Sequence, residues 1–394
     1  MDFRESGEDV RFRQEVREFL ATRLPPELRM RQNGAQLSAR EETLAWQRIL
    51  FEQGWGAPHW PQEFGGPGWT PLQRLIFDTE CALAGAPWIN QQGINLLGPV
   101  VNRFGTPEQR ARLIPPLIRG ETYWVQGFSE PNAGSDLAAL QTSARRHGDR
   151  YRINGQKIWT SHAEHADWVF LLVRTEKAAT KQQGVSFVVL PLDTPGVTVR
   201  PIRSIDGLQH LTEVFFDDAE TPLTNLIGEE GQGWSITKHA LGIERLFGAC
   251  DLGGMKRELA RLKRAFAGRR GRSPLAEAVV AQRLARLDME AEVVTMAFIK
   301  AIAGEVDACT SSVIKVRVTE LHQQIVELLY EVCGERGPLF YPDPFHDQAA
   351  LVLQGLEADY SKVSSEMMYR RASSIYGGTN EIQREIIAKS VLGA

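Results

Sequence analysis

GFSEPNAGSD (127–136) and INGQKIWTSHA (153–163) decide how this chain is read. Asn132, Ala133, Gly134 and Ser135 are a run of small residues that lets main-chain N–H groups come close to a phosphate or carbonyl oxygen, and Ser129 can add a hydroxyl. The Asn154-Gly155 dipeptide predicts a two-residue hairpin that pairs YRI with QKIWTS and holds Trp159 in a fixed place. A fixed indole can stack on a flat heterocycle, so the combination suits a flavin. Taken alone, Ser129 and Ser161 suit turn caps equally well.

Outward from this centre the hydrophobic period changes twice. DWVFLLVRT (167–175), GVSFVVLPLD (184–193), VTVRPI (197–202) and TEVFFDD (212–218) are short apolar runs between turn residues, which predicts strands over about 123–232. Before them the pattern is helical, with Val10, Phe12, Val16, Phe19 and Leu20 at three- and four-residue spacing. Thr106-Pro107-Glu108-Gln109 is a helix start with Thr as the cap. GWGAPHWPQEFGGPGW (54–69) is too rich in Gly, Pro and Trp for a linker and is expected to pack as a wall. After about 233 the chain is helical again, and Val279, Val280, Leu284, Leu287, Val294 and Ile299 are expected to share one buried face of a bundle. The expected class is α+β, divided into 1–122, 123–232 and 233–394.

Composition excludes several functions. At 394 residues with 43% hydrophobic and 24% charged content, the chain reads as an ordinary globular protein, and its net charge of −4 argues against general nucleic-acid binding. Cys81, Cys250, Cys309 and Cys333 are scattered without a CxxC, and the eight His form no HExxH, so packed thiols and no metal site are expected. No run approaches the roughly 18 apolar residues of a membrane span, and the first residues lack a signal-peptide core, which points to a cytoplasmic protein. The charge run RLKRAFAGRRGR (261–272) reads as a solvated interhelix loop, with a phosphate contact as the functional alternative.

Together with IYGGTNEIQREIIAKSVLG (375–393), the two opening strings resemble the acyl-CoA dehydrogenase family over nearly the whole chain. The resemblance implies an N-terminal helical domain, a middle β-barrel and a C-terminal four-helix bundle. It also implies FAD as cofactor, an acyl-CoA substrate, and an electron-transfer flavoprotein-like acceptor. Family members commonly carry the catalytic base as a Glu directly after the Tyr of the terminal motif, where this chain has Gly377. A second family pattern, that of isovaleryl-CoA dehydrogenase-like members, places the base in a Glu-Arg pair on a helix. GQGWSITKHALGIERLFG (231–248) has that pair, so the resemblance implies Glu244 as the base that takes the α-proton while the β-hydride goes to flavin, with Arg245 on the substrate side. Carried over by motif, Gln126, Phe128 and Ser129 face the flavin, Ser135 meets the thioester side, Trp159 and Ser161 stack on and bond the ring, and Thr379 and Glu381 meet the flavin from the terminal motif.

Two departures concern the flavin pyrophosphate. The family's Arg-x-x-Phe-Gly motif falls on Gly268 and Gly271-Arg272, leaving Arg270 as the displaced substitute, and Glu331 in EVCGERG (331–337) replaces the usual Gln. A homotetramer is expected, with a mixed tetramer as the alternative. Two further readings remain open: a structural subunit of a mixed assembly, and a flavin oxidase or monooxygenase on the same fold.

Overall fold

Ser6, Thr70 and Thr106 each accept a hydrogen bond from the backbone N–H three residues on, whose own side chain closes a capping box, and helices α1 (Gly7–Arg23), α4 (Pro71–Ala84) and α6 (Pro107–Ile118) start there. In this computed structural model, which describes residues 5–32, 39–247, 250–268, 274–304, 309–338 and 363–393, helices α2 (Pro26–Gln32), α3 (Arg40–Glu52) and α5 (Gly98–Phe104) complete the N-terminal layer. Phe12, Val16, Phe19 and Leu20 are buried as the spacing predicts, whereas Val10 turns out to solvent. The 54–69 loop is a packed wall: Trp55, Trp60 and Trp69 are all buried, and the Trp60 indole donates to the Ile94 carbonyl at 2.8 Å.

The middle segment is one eight-stranded sheet. Strands β1 (Trp124–Gly127), β2 (Ser143–His147), β3 (Arg150–Ser161), β4 (Trp168–Arg174), β5 (Val185–Pro191), β6 (Val197–Ile202), β7 (Leu211–Pro222) and β8 (Leu226–Ile227) run in the order β6-β7-β3-β2-β4-β5-β8, with β1 parallel on β4. Alternation gives it two apolar faces. Val169, Leu171 and Val173 pack with Tyr151, Ile153, Val188 and Val214 in a core of the sheet's own. Phe170, Leu172 and Phe187 point the other way, into a core shared with the N-terminal helices.

The expected Asn154-Gly155 hairpin is not there. Residues 150–161 form one strand, and this dipeptide is a bulge where the register with β7 shifts between Ile153 and Gly155. Gly155 has φ +142°, and a Cβ there would come within 2.7 Å of the Thr142 backbone, so close strand approach sets the glycine. The two-residue turn lies earlier, between the paired residues His147 and Arg150, with Gly148 at φ +61°.

The C-terminal part holds α7 (Gly233–Phe247), α8 (Leu252–Ala267), α9 (Pro274–Ile302), α10 (Thr310–Cys333) and the shorter helices Val363–Tyr369 and Asn380–Leu392. Leu287, Val294 and Ile299 enter the bundle core with Val280 and Leu284 at its margin, while Val279 is half exposed and belongs to another face. The charge run is likewise corrected in its first part: residues 261–267 are the end of α8, and Arg261 is buried against Glu258. Cys81 is half-buried, and Cys250, Cys309 and Cys333 are buried.

Candidate active site

The loop after β1 is pinned from beneath by a buried ion pair. Lys157, fully buried on β3, donates from Nζ to the Phe128 carbonyl at 3.0 Å and to Glu130 Oε1 at 2.8 Å. The Glu130 carboxylate also accepts the backbone N–H groups of Gln141 and Thr142. Burial pushes the Lys157 ammonium down to about 8 against the pull of Glu130. Burial alone would raise the Glu130 pKa; the Lys157 charge and these hydrogen bonds reverse that and hold it below the usual range. Glu130 and Ala133 exchange backbone hydrogen bonds, leaving Asn132, Gly134 and Ser135 exposed at the tip.

Ile158 N–H donates to the Ser129 carbonyl at 2.9 Å, which fixes the loop beside the strand that carries Trp159. Trp159 sits in a second bulge with φ +61°, and its indole is 56% exposed. His162 has φ +64°, so two left-handed side-chain-bearing residues flank half-buried Ser161. Such backbone is uncommon outside glycine and gathers where geometry serves a site. Phe128 is buried against Phe170 and Phe187, so its side chain belongs to the core of the loop.

Glu244 lies on α7, half-buried, and its Oε2 accepts from Gln126 Nε2 at 3.5 Å. Gln126 is held in turn by its backbone N–H, which donates to Gln92 Oε1 at 2.7 Å. Gln92 opens a π-helical turn (Gln92–Leu97), a feature that often marks functional sites. On the bundle side, the charges of Glu244 and Glu381 both act on Lys315 of α10, whose burial nevertheless lowers it to about 8. Lys315 Nζ donates to Asn380 Oδ1 at 2.9 Å, beside Thr379, which caps the last helix by accepting from Ile382 N–H. Hydrogen bonds thus join Gln126 to Glu244 and Lys315 to Asn380, while Glu244 and Glu381 act on Lys315 only through their charge.

No hydrogen bond or ion pair joins Ser135, Trp159 or Ser161 to Glu244 among the described residues. Arg270 and the Arg245 side chain lie outside the described residues. Glu331 is neutralised within the chain, since Arg283 of α9 donates to both its oxygens. Among the described residues, no group of three or more His, Cys, Asp or Glu is placed to hold a metal ion, and no helix is long and apolar enough to cross a membrane. Lys157, Glu130, Gln92 and Lys315 escaped the sequence reading. Their one signal was a lysine at an inward position of an apolar strand or helix, and at Lys157 the adjacent bulges obscure the alternation.

One pH effect follows from this region. Burial, then the neighbouring His210 and His165, lowers the His162 imidazole from 6.5 to about 3. Below 6.5 the unfolded chain binds a proton there that the folded chain refuses, so stability present above 6.5 is lost as pH falls toward 3. Thermal melts between pH 7 and 4 should show this loss, and His162→Asn, which tolerates the left-handed backbone, should flatten it. An unchanged slope would remove His162 from the account.

Comparison with known proteins covers the chain end to end. Family models described as the acyl-CoA dehydrogenase N-terminal, middle and C-terminal domains match residues 6–121, 126–219 and 231–392. Acyl-CoA dehydrogenase IpdE1 of Mycobacterium tuberculosis is 36% identical over 97% of both chains. Among solved structures, the steroid ACAD Tcur3481-Tcur3483 superposes with a TM-score of 0.85 at 28% identity, over 100% of this chain and 99% of that one. The ChsE4-ChsE5 complex from Mycobacterium tuberculosis gives 0.82 at 29% identity, again over 100% and 99%.

Proposed function

Because the chain belongs to the acyl-CoA dehydrogenase family of oxidoreductases, we propose that it binds FAD and dehydrogenates an acyl-CoA thioester across the α and β carbons, with Glu244 as the base. The observation that carries this reading is the Glu244–Gln126 contact, which sets a helix-borne carboxylate against the strand leading into the 127–136 loop.

The residues present fit the cofactor. Trp159 offers an exposed aromatic face, a Cβ at Gly134 would meet nothing within 4 Å, and Gln383 Oε1 in the terminal motif is buried without a hydrogen-bond partner. In this reading Gln126, Ser129, Trp159, Ser161, Thr379 and Glu381 hold the flavin, Phe128 supports the loop from its core side, Arg270 serves the pyrophosphate, and Ser135 and Arg245 meet the substrate. When bound, FAD supplies the hydride acceptor that no amino-acid side chain provides. Glu244 receives the α-proton. A carboxylate half-buried beside an apolar thioester loses solvation and gains basicity, which brings its affinity for a proton closer to that of the α-carbon. The Gln126 amide orients the carboxylate.

The same reading includes transfer of electrons to an electron-transfer flavoprotein-like acceptor, domain boundaries near 122 and 232, and a homotetramer. Exposed Met289 and Val293 on one face of α9 support a covered bundle surface, and the two-component ChsE4-ChsE5 relative keeps the mixed tetramer as the competing outcome. Purification of this protein alone, with its visible spectrum, its mass in solution and its flavin bleaching across a panel of acyl-CoA esters, tests all three levels. A flavin-free dimer would sink the homotetramer. Rapid turnover with oxygen and no other acceptor would instead make the protein an oxidase.

Trp159→Ala should weaken FAD retention roughly two- to tenfold, because stacking contributes about 0.5–1.5 kcal/mol beyond area burial. Alanine keeps the left-handed strain, so the melting temperature of the flavin-free protein should stay near wild type. Unfolding of that variant would mark Trp159 as a packing residue.

A further inference from the structure

Two neighbouring carbonyls of the 127–136 loop are bound from one strand. Lys157 of β3 donates from Nζ to the Phe128 carbonyl at 3.0 Å, and the backbone N–H of the next residue, Ile158, donates to the Ser129 carbonyl at 2.9 Å. The Lys157 side chain is fully buried. No peptide bond of the described residues is cis, and a trans peptide sets its C=O and N–H in opposite directions. With the Phe128 carbonyl held on Lys157, the Ser129 N–H therefore points away from the ammonium, on a residue that is only half-buried.

A neutral side chain could bind the Phe128 carbonyl with far less desolvation, since burying an ammonium is costly and an ion pair seldom offsets that relative to an uncharged contact. What the charge adds is polarisation. A cation on a carbonyl oxygen draws electron density along the amide and makes the N–H at its other end a stronger donor. Glu130 opposes this only in part: its carboxylate also accepts the backbone N–H groups of Gln141 and Thr142, whereas the ammonium bonds the Phe128 oxygen directly. Arg174, the other charge acting on Lys157, donates to the carbonyls of Ala138, Leu140, Lys181 and Gln183.

Resting on the flavin-dependent dehydrogenase reading above, we propose that Lys157 is a positioning residue that acts through the Phe128–Ser129 peptide, making the Ser129 N–H a strengthened hydrogen bond to the polar edge of the bound flavin ring. A hydride brings two electrons and one proton, so the ring gains one negative charge. The polarised N–H stabilises that charge more than it stabilises the oxidised ring, so Lys157 raises the flavin's reduction potential and favours hydride transfer. The hydride leaves the β-carbon, the α-proton goes to Glu244, and no other oxidant or reductant enters the step.

The test measures the two-electron potential of the flavin-loaded protein by dye equilibration, with no substrate present. Lys157→Met alone leaves Glu130 as an uncompensated buried charge, so it is combined with Glu130→Gln to make the site neutral. In that double variant the reduced flavin should be about tenfold less stable relative to the oxidised form, the scale of taking the charge out of one hydrogen bond. The potential then falls by about 30 mV. Lys157→Arg keeps the charge and should keep the potential near wild type. Wild type carries its own check, because burial sets the Lys157 ammonium at about 8. Above that pH reduction draws a proton onto the lysine, so the potential should fall more steeply with pH, and the double variant should lack the extra slope. A merely structural Lys157–Glu130 pair leaves the potential and its slope unchanged in loaded variants, and that result overturns the proposal. If the variants fail to fold or to take up FAD, the wild-type slope decides, and a constant slope through pH 8 overturns it. A wild type that binds no FAD overturns the dehydrogenase reading itself, whereas an unchanged potential in a protein that still bleaches with acyl-CoA overturns only the role of Lys157.

Discussion

Glu244→Gln should yield a folded, flavin-loaded protein whose bleaching by acyl-CoA falls by at least about 100-fold, the lower range for a positioned general base. The substitution keeps shape and hydrogen-bonding reach toward Gln126, and no core packing depends on a half-buried side chain. Binding of the ester should change little, so the loss belongs in the rate of reduction. Near-normal bleaching would reject the assignment. The second family position offers an internal check, since Gly377→Glu in that background should restore part of the rate. Recovery should be incomplete. Gly377 has φ +65°, and a side chain in the left-handed region costs about 1–2 kcal/mol. No recovery in a folded, flavin-loaded double variant would mean that the two positions do not reach the same carbon.

The largest stability effect is expected at Glu258, which is fully buried in the bundle. It accepts from Arg257 Nε and Arg261 Nη1, while Arg370 donates to Glu366 and Asp251 close by. Three carboxylates thus face three guanidiniums in low dielectric. Deleting one carboxylate leaves a buried positive charge uncompensated, which costs about 3–5 kcal/mol even though the intact set contributes little net stability over an apolar core. Glu258→Ala should therefore lower the denaturation midpoint strongly when compared with wild type at equal protein and FAD concentration. A change within about 1 kcal/mol would show that water or rearrangement compensates the arginines.

Much of the architecture was legible because it rests on period and punctuation. The strand runs, the Thr106 cap and the Trp-rich wall are local signals that tertiary packing does not overrule. The Asn154-Gly155 misreading has a definite cause: the dipeptide supplies the same backbone freedom to a bulge as to a turn, and only the pairing partner distinguishes them. Val279 shows the limit of helical spacing, since a helix of 29 residues presents more than one apolar stripe. At the site, motif placed Glu244, Gln126 and Thr379 on elements that the structure joins. Lys157 and Lys315 were illegible because buried charge is defined by what lies across from it, here Glu130 and Asn380, 27 and 65 residues away.

The left-handed backbone at Trp159 constrains how this sequence can drift. Most residues that could replace the indole inherit its strain, while glycine and asparagine relieve it. A lineage released from the need for flavin would therefore gain stability by abandoning the tryptophan first, so loss of the ring-stacking surface and a rise in melting temperature should appear together in cofactor-free descendants of this chain.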